Sequence, residues 1–143
     1  MLRDKCTYLE NQSRRNNIRI DGIPEETDET WDQMESKVKE AIEQKLQIQS
    51  VSIERAHRIG KRRSDGKPRT VICKLYDWKL KERLLKDARR KKPDGLFIKE
   101  DFADQTMKTR KALMPRLLEA KKQGKIAYFI VDKLVIKERA YVR

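Results

Sequence analysis

The sequence predicts an α+β chain. A β-α-β-β-α-β domain, two helices over one face of a four-stranded antiparallel sheet, is preceded by the end of a coiled coil and followed by a small helix-plus-hairpin domain. Three observations carry this. The hydrophobic period changes from helical to alternating between Leu9 and Ile23, four strand patterns and two helical ones then follow in the stated order, and a basic helix with two further strand patterns closes the chain. The boundaries this implies are 1–16 for the coiled-coil end, 17–101 for the sheet domain and 102–143 for the C-terminal domain.

Leu2, Cys6 and Leu9 recur at spacings of four and three, the a/d seam of a coiled coil with Cys6 at an a position. Ile18 and Ile20 then alternate with Arg19 and Asp21, a half-buried strand that ends at Gly22 and Pro24. Residues 30–46 place Trp31, Met34, Val38, Ala41, Ile42 and Leu46 at helical spacing, with Thr27 or Asp28 as the expected N-cap. The second strand runs from Val51 to Ile59 and stops at Gly60. Residues 61–69 hold five cations, one acid, a glycine and a proline, the composition of a mobile basic loop.

In the third strand, Arg69 to Tyr76, Val71, Cys73 and Leu75 face one way and Thr70, Ile72 and Lys74 the other. The second helix covers 77–90, with Trp78, Leu80, Leu84, Leu85 and Ala88 facing the core, and its C-terminal turn gathers Lys86, Arg89, Arg90, Lys91 and Lys92, which suits the helix dipole. Pro93-Asp94-Gly95 turns the chain into a fourth strand, Leu96 to Lys99. This is the ferredoxin-like, or split βαβ, order, and it leaves the sheet face opposite the helices open. Beyond Asp101 a basic helix from about 105 to 123, capped by Asp104 or Thr106, has Met107, Leu113, Met114, Leu117, Leu118 and Ala120 on its apolar side and Pro115 inside, where one hydrogen bond is lost. Strands Ile126 to Val131 and Leu134 to Lys137 follow, with Tyr141 and Val142 expected to extend their edge; so short a domain is expected to pack on or fold with its predecessor.

Charge indicates the partner. The chain carries 36 basic and 23 acidic residues, a net +13, yet residues 25–43 hold eight acids against Lys37 and Lys39, a net of −6. The remainder therefore carries +13 − (−6) = +19. Such asymmetry favours a polyanion. No run approaches the roughly 20 apolar residues of a membrane span and no signal-peptide core opens the chain, so no membrane partner is expected and the location expected is cytoplasmic, as a ribonucleoprotein, or nuclear. Cys6, Cys73 and the single His57 cannot build a four-ligand zinc site. There is no phosphate-binding glycine loop and no nucleophile with its base, so neither enzyme activity nor a cofactor is expected.

The split βαβ order is shared by RNA-recognition motifs, but Arg19 stands where their first-strand aromatic is usual and the third strand lacks their glycine-aromatic signature. A closer likeness lies in Leu9-Glu10-Asn11, Ser13-Arg14-Arg15-Asn16-Asn17-Ile18-Arg19-Ile20 and Gly22-Ile23-Pro24-Glu25. It continues in Arg55-Ala56-His57-Arg58-Ile59-Gly60, Pro68-Arg69-Thr70-Val71-Ile72, Lys81-Glu82-Arg83-Leu84-Leu85, Asp101-Phe102, Thr109-Arg110-Lys111-Ala112-Leu113, Gly124-Lys125, Tyr128-Phe129 and Lys133-Leu134. In these segments, in this order, the chain resembles the first-open-reading-frame proteins of LINE-type retrotransposons.

The resemblance implies a homotrimer when the full coiled coil is present, each subunit carrying a noncanonical RNA-recognition motif and a small C-terminal domain. Such proteins coat their element's RNA and act as nucleic-acid chaperones. The family's basic positions map onto Arg14, Arg15, Arg19, the loop with Arg62, Arg63 and Arg69, Arg89 with Arg90, and Arg110 with Lys111, with Tyr128 as an aromatic contact. Only one of the adjacent Tyr128 and Phe129 can reach a ligand, because neighbours on a strand face opposite ways. Arg58 and Lys74 complete the expected set, Arg19 and Arg58 as guanidiniums that stack on bases in place of the missing aromatics. The expectation is sequence-tolerant binding of single-stranded RNA or DNA, with a log-log salt slope of roughly −4 if about six phosphates are neutralised. The alternative is an assembly module in which the sheet contacts protein and the acidic helix docks a basic partner.

Overall fold

A computed structural model of the chain describes residues 2–139. Tyr141 and Val142, expected at the hairpin edge, lie outside the described residues. In chain order the elements are α1 (Leu2–Ser13), β1 (Asn17–Asp21), α2 (Trp31–Leu46), β2 (Ile53–Arg58), β3 (Val71–Leu75), α3 (Trp78–Lys91), β4 (Phe97–Glu100), α4 (Asp104–Lys122), β5 (Ile126–Ile130) and β6 (Lys133–Lys137). They fall into two compact units. One is Ser13–Asp101; the other combines residues 2–12 with 102–139.

In Ser13–Asp101 a four-stranded sheet has the order β2-β3-β1-β4, with every neighbouring pair antiparallel. The arrangement is α+β and compatible with a ferredoxin-like domain. Ile18, Ile20, Ala56, Val71, Cys73, Leu75 and Ile98 share one core with Met34, Val38, Ile42 and Leu46 of α2 and Leu84, Leu85 and Ala88 of α3. Alternation along each strand therefore sends Arg19, Lys74, Phe97 and Lys99 to the other face. Burial pushes the Cys73 thiol up to about 12, so this cysteine acts as a small apolar residue.

Local chemistry sets the element ends. The N-cap of α2 is Thr30, not Thr27 or Asp28: its hydroxyl accepts from Gln33 N at 3.2 Å while the Gln33 side chain accepts from Thr30 N at 3.0 Å. This reciprocal capping box satisfies two donors at once, which a cap three residues earlier cannot do for the same helix. Asp77 caps α3 through Lys79 N at 2.9 Å. After β1 the chain turns at Gly22 with φ +100°, and a Cβ there would stand 1.8 Å from the Gly95 carbonyl oxygen, so only glycine fits.

The second unit is built from α1, α4 and the β5–β6 hairpin. Leu117, Ala120 and Ala127 form its small core, with Phe129 and Leu134 packed against them. Of the apolar side expected on α4, Met107, Met114 and Leu118 remain exposed. Neither Asp104 nor Thr106 caps α4; Ala103 occupies the cap without a side-chain bond, and Thr106 is instead buried, accepting from Asn11 Nδ2 at 2.9 Å. Asn11 Oδ1 accepts from Ala103 N at 2.7 Å, and Arg3 donates to Gln105 at 2.7 Å. One side of α1 thus meets the start of α4, while Leu2, Cys6 and Leu9 are exposed. The hairpin turn is Val131-Asp132, one residue earlier than Asp132-Lys133, because Ile130 pairs with Lys133. Among the described residues no helix is long and apolar enough to cross a membrane.

Candidate functional site

The register of the sheet in Ser13–Asp101 assembles the candidate surface. Lys99 pairs with Arg19, Arg19 with Ile72, and Ile72 with His57, so one row of side chains crosses all four strands on the face away from the core. A second row on that face joins Asn17, Lys74 and Arg55. A third has Phe97 opposite Asp21. Arg55, His57, Phe97 and Lys99 are exposed, Phe97 to 56 %. Asp21 is occupied locally, accepting from the Thr70 hydroxyl. Glu54 lies 3.8 Å from the Lys74 ammonium. Among these residues the result is a cationic surface that also carries the exposed Phe97 ring.

Asp101 organises one end of it. This buried carboxylate accepts from Arg19 Nε at 2.9 Å, from Asn17 Nδ2 at 3.0 Å, and at both oxygens from Arg14 Nη1 at 3.1 Å. Burial alone would raise its pKa, but the hydrogen bonds from Asn17 and Arg19 and the Arg14 charge outweigh it and hold the carboxyl below its ordinary value. Arg19 is bound here only through Nε; its two terminal nitrogens have no partner among the described residues. Arg14 and Arg19 therefore stand side by side, fixed by one acid.

The other expected residues are spread over several places. Arg58 follows Ala56 on the core side of β2, and its side chain is only 4 % exposed. Both Glu29 carboxylate oxygens accept from it, as do the carbonyls of Ile23, Pro24 and Arg69. The residues of β2 that reach the open face are Arg55 and His57, because a bulge between Ile53 and Arg55 sets the parity. Arg69 binds Glu25 and the Gly60 carbonyl, Arg62 binds the Glu26 carbonyl at 2.8 Å, and Arg63 pairs with Asp65 at 2.7 Å. Hydrogen bonding from Arg69 is the main cause that holds the Glu25 carboxyl below its usual range. Two of the acids that make residues 25–43 so negative thus clamp the basic loop and β2.

Arg15 is exposed, while its carbonyl accepts from the buried Lys81 ammonium. Arg89 and Arg90 are exposed at the end of α3, where Arg89 Nε reaches the Leu85 carbonyl at 3.3 Å and Arg90 pairs with Asp87 at 3.4 Å. They belong to the helical layer, not to the open face.

In the second unit Arg110 donates to the Val131 carbonyl and lies over two rings, 4.5 Å from the Phe102 centroid and 5.1 Å from that of Phe129. Lys111 is exposed one residue on. Tyr128 faces outward with Lys137 Nζ 5.9 Å from its ring, while Phe129 packs inward, so the two neighbours divide as their strand position requires.

Sequence reasoning missed Phe97, Lys99, Arg55 and His57 as one surface. The signal was present: Leu96 and Ile98 are core residues, so Phe97 and Lys99 must face the other way. The aromatics of RNA-recognition motifs are expected on the first and third strands, whereas the exposed Phe97 stands on the fourth. In comparisons with known proteins, no family model matches the chain and no curated protein matches it.

Proposed function

We propose that Ser13–Asp101 is a ferredoxin-like domain of RNA-recognition type whose open sheet face binds single-stranded RNA or DNA with little sequence preference. The observation that carries this reading is the Lys99–Arg19–Ile72–His57 row, flanked by Lys74, Arg55 and the exposed Phe97 ring. Cations on this face meet phosphates, and Phe97 offers a ring on which any base can stack. The resemblance to LINE first-open-reading-frame proteins agrees with this surface and extends the reading: a protein that coats its element's RNA in a ribonucleoprotein and acts as a nucleic-acid chaperone, with no catalytic step. The exposed Leu2, Cys6 and Leu9 of α1 are the seam through which such a protein forms its trimer.

The test is a titration of the chain against fluorescent single-stranded and duplex RNA and DNA of equal length over a range of salt. Preference for single strands, with a log-log salt slope of about −3 for the four cations Arg19, Arg55, Lys74 and Lys99, supports the reading. Equal, weak binding to every polyanion, unchanged when these four are replaced by glutamine, defeats it.

A further inference from the structure

Two surface features remain outside this reading. The first is Trp31, an indole with 76 % of its surface exposed at the start of α2. In sequence it is flanked by the exposed acids Glu26, Asp28 and Asp32, and the Thr30–Gln33 capping box holds the backbone that carries it. An aromatic of this size left bare on a rigid helix end is a costly exposure, since burying one removes about 150–250 Å² from water. The second is a groove in the other compact unit, lined by Met107, Met114 and Phe129 together with the charged Asp104, Lys108, Arg110 and Lys111. Its volume is about 490 Å³, within the size range of small binding sites. Arg110 stacks on Phe129 and binds the Val131 carbonyl, so the floor is fixed before anything enters, while the methionine walls can adapt to an incoming ring.

We infer that these features are the two halves of one contact between copies of this chain: Trp31 of one copy enters the Met107–Met114–Phe129 groove of another. Charge complementarity chooses the occupant. The segment around Trp31 is the strongly acidic part of a chain that is basic elsewhere, and the groove lining meets it with Lys108, Arg110 and Lys111 against the single acid Asp104. The same acidity argues against a nucleic acid beside Trp31. Trp31 and the groove are separate patches of the chain, so each copy offers both halves of the contact. One indole and a few ion pairs bury far less than a standard interface, so the affinity is modest, with a Kd on the order of 10–100 μM. This inference stands apart from the nucleic-acid reading, and its test contains no nucleic acid.

The full chain carrying Trp78→Phe leaves Trp31 as its one tryptophan, and its sedimentation and emission are followed from about 1 to 300 μM, a span around the expected Kd. The expected result is an average mass that rises with concentration while Trp31 emission shifts to the blue. In the same background Trp31→Ala cuts the rise back to what the α1 seam alone supports, and Lys108→Glu with Lys111→Glu weakens the association beyond that level at least tenfold. Adding Asp28→Lys and Asp32→Lys to that lysine pair restores it. Circular dichroism confirms the fold of each variant, and α1 is left intact in all of them, so association through its seam cancels in the comparison. Mass that rises equally in Trp31→Ala overturns the inference. So does a blue-shifted emission that does not depend on concentration, or an average mass that the lysine reversals leave unchanged.

Discussion

Arg58 and Glu29 form a two-point ion pair, with Nε 2.8 Å from Oε2 and Nη2 2.9 Å from Oε1. The pair ties the end of β2 to the segment that enters α2, and both side chains are nearly buried. Hydrogen bonding from Arg58, joined by Lys37, lowers the Glu29 carboxyl from 4.5 to about 2 despite the opposing effect of burial. Removing one member strands the other, so Glu29→Gln is expected to destabilise the unit by about 2–3 kcal/mol in urea denaturation. Because the folded value lies below the unfolded one, the contribution of Glu29 is full above pH 4.5 and fades as pH falls toward 2. The wild-type chain should therefore lose stability over that window more steeply than Glu29→Gln.

Asp101→Asn separates fold from binding. The amide keeps one acceptor but loses the charge that gathers Arg14 and Arg19, so stability should fall by about 1–2 kcal/mol. The open face gains one uncompensated cation. Affinity for single-stranded RNA at low salt should rise, and the log-log salt slope should steepen by about 0.7. Lower affinity with the fold intact would show that Asp101 positions the arginines productively instead of competing for them.

Phe97→Ala is expected to weaken single-strand binding by about 1–2 kcal/mol, while its mainly exposed position keeps the melting temperature close to wild type. Phe97→Trp should retain or improve affinity. Lys99→Gln should behave differently, reducing the salt slope by about 0.7 without altering preference among bases. Full affinity in Phe97→Ala would leave a purely electrostatic surface.

Val131 holds φ +54° in the two-residue turn between β5 and β6, a conformation its branched side chain resists. Val131→Asn should relieve about 1 kcal/mol of this strain. Amide exchange in β5 and β6 is the readout, and it should slow by roughly fivefold.

Much of the fold was legible because it rests on periodicity. Ile18 and Ile20, Val71, Cys73 and Leu75, and the α2 stripe of Met34, Val38, Ile42 and Leu46 all lie in the core as their spacing requires. The α2 cap was misplaced because Asp28 and Thr27 are good caps in isolation, and only the reciprocal bond to Gln33 selects Thr30. The surface was harder to read. Arg58 stands among basic neighbours in sequence, but a bulge in β2 turned it to the core side, where Glu29 awaited it. Charge counting locates cations but not their partners, so it could not distinguish Arg58 and Arg69, held by acids of the 25–43 segment, from Arg55 and Lys99, which no such acid meets.

The central place of β1 between β3 and β4 bears on how the chain is born. A ribosome releases Ile18 and Ile20 long before either neighbouring strand exists. At about 5–20 residues per second, the roughly 80 residues from Asp21 to Asp101 take some 4–16 s. Throughout that interval Arg14 and Arg19 are translated while their shared carboxylate is still unmade. Translation halted at residue 100 would yield all four strands of the sheet but not the acid that gathers Asn17 and both arginines, so synthesis of that unit is complete only with its final residue.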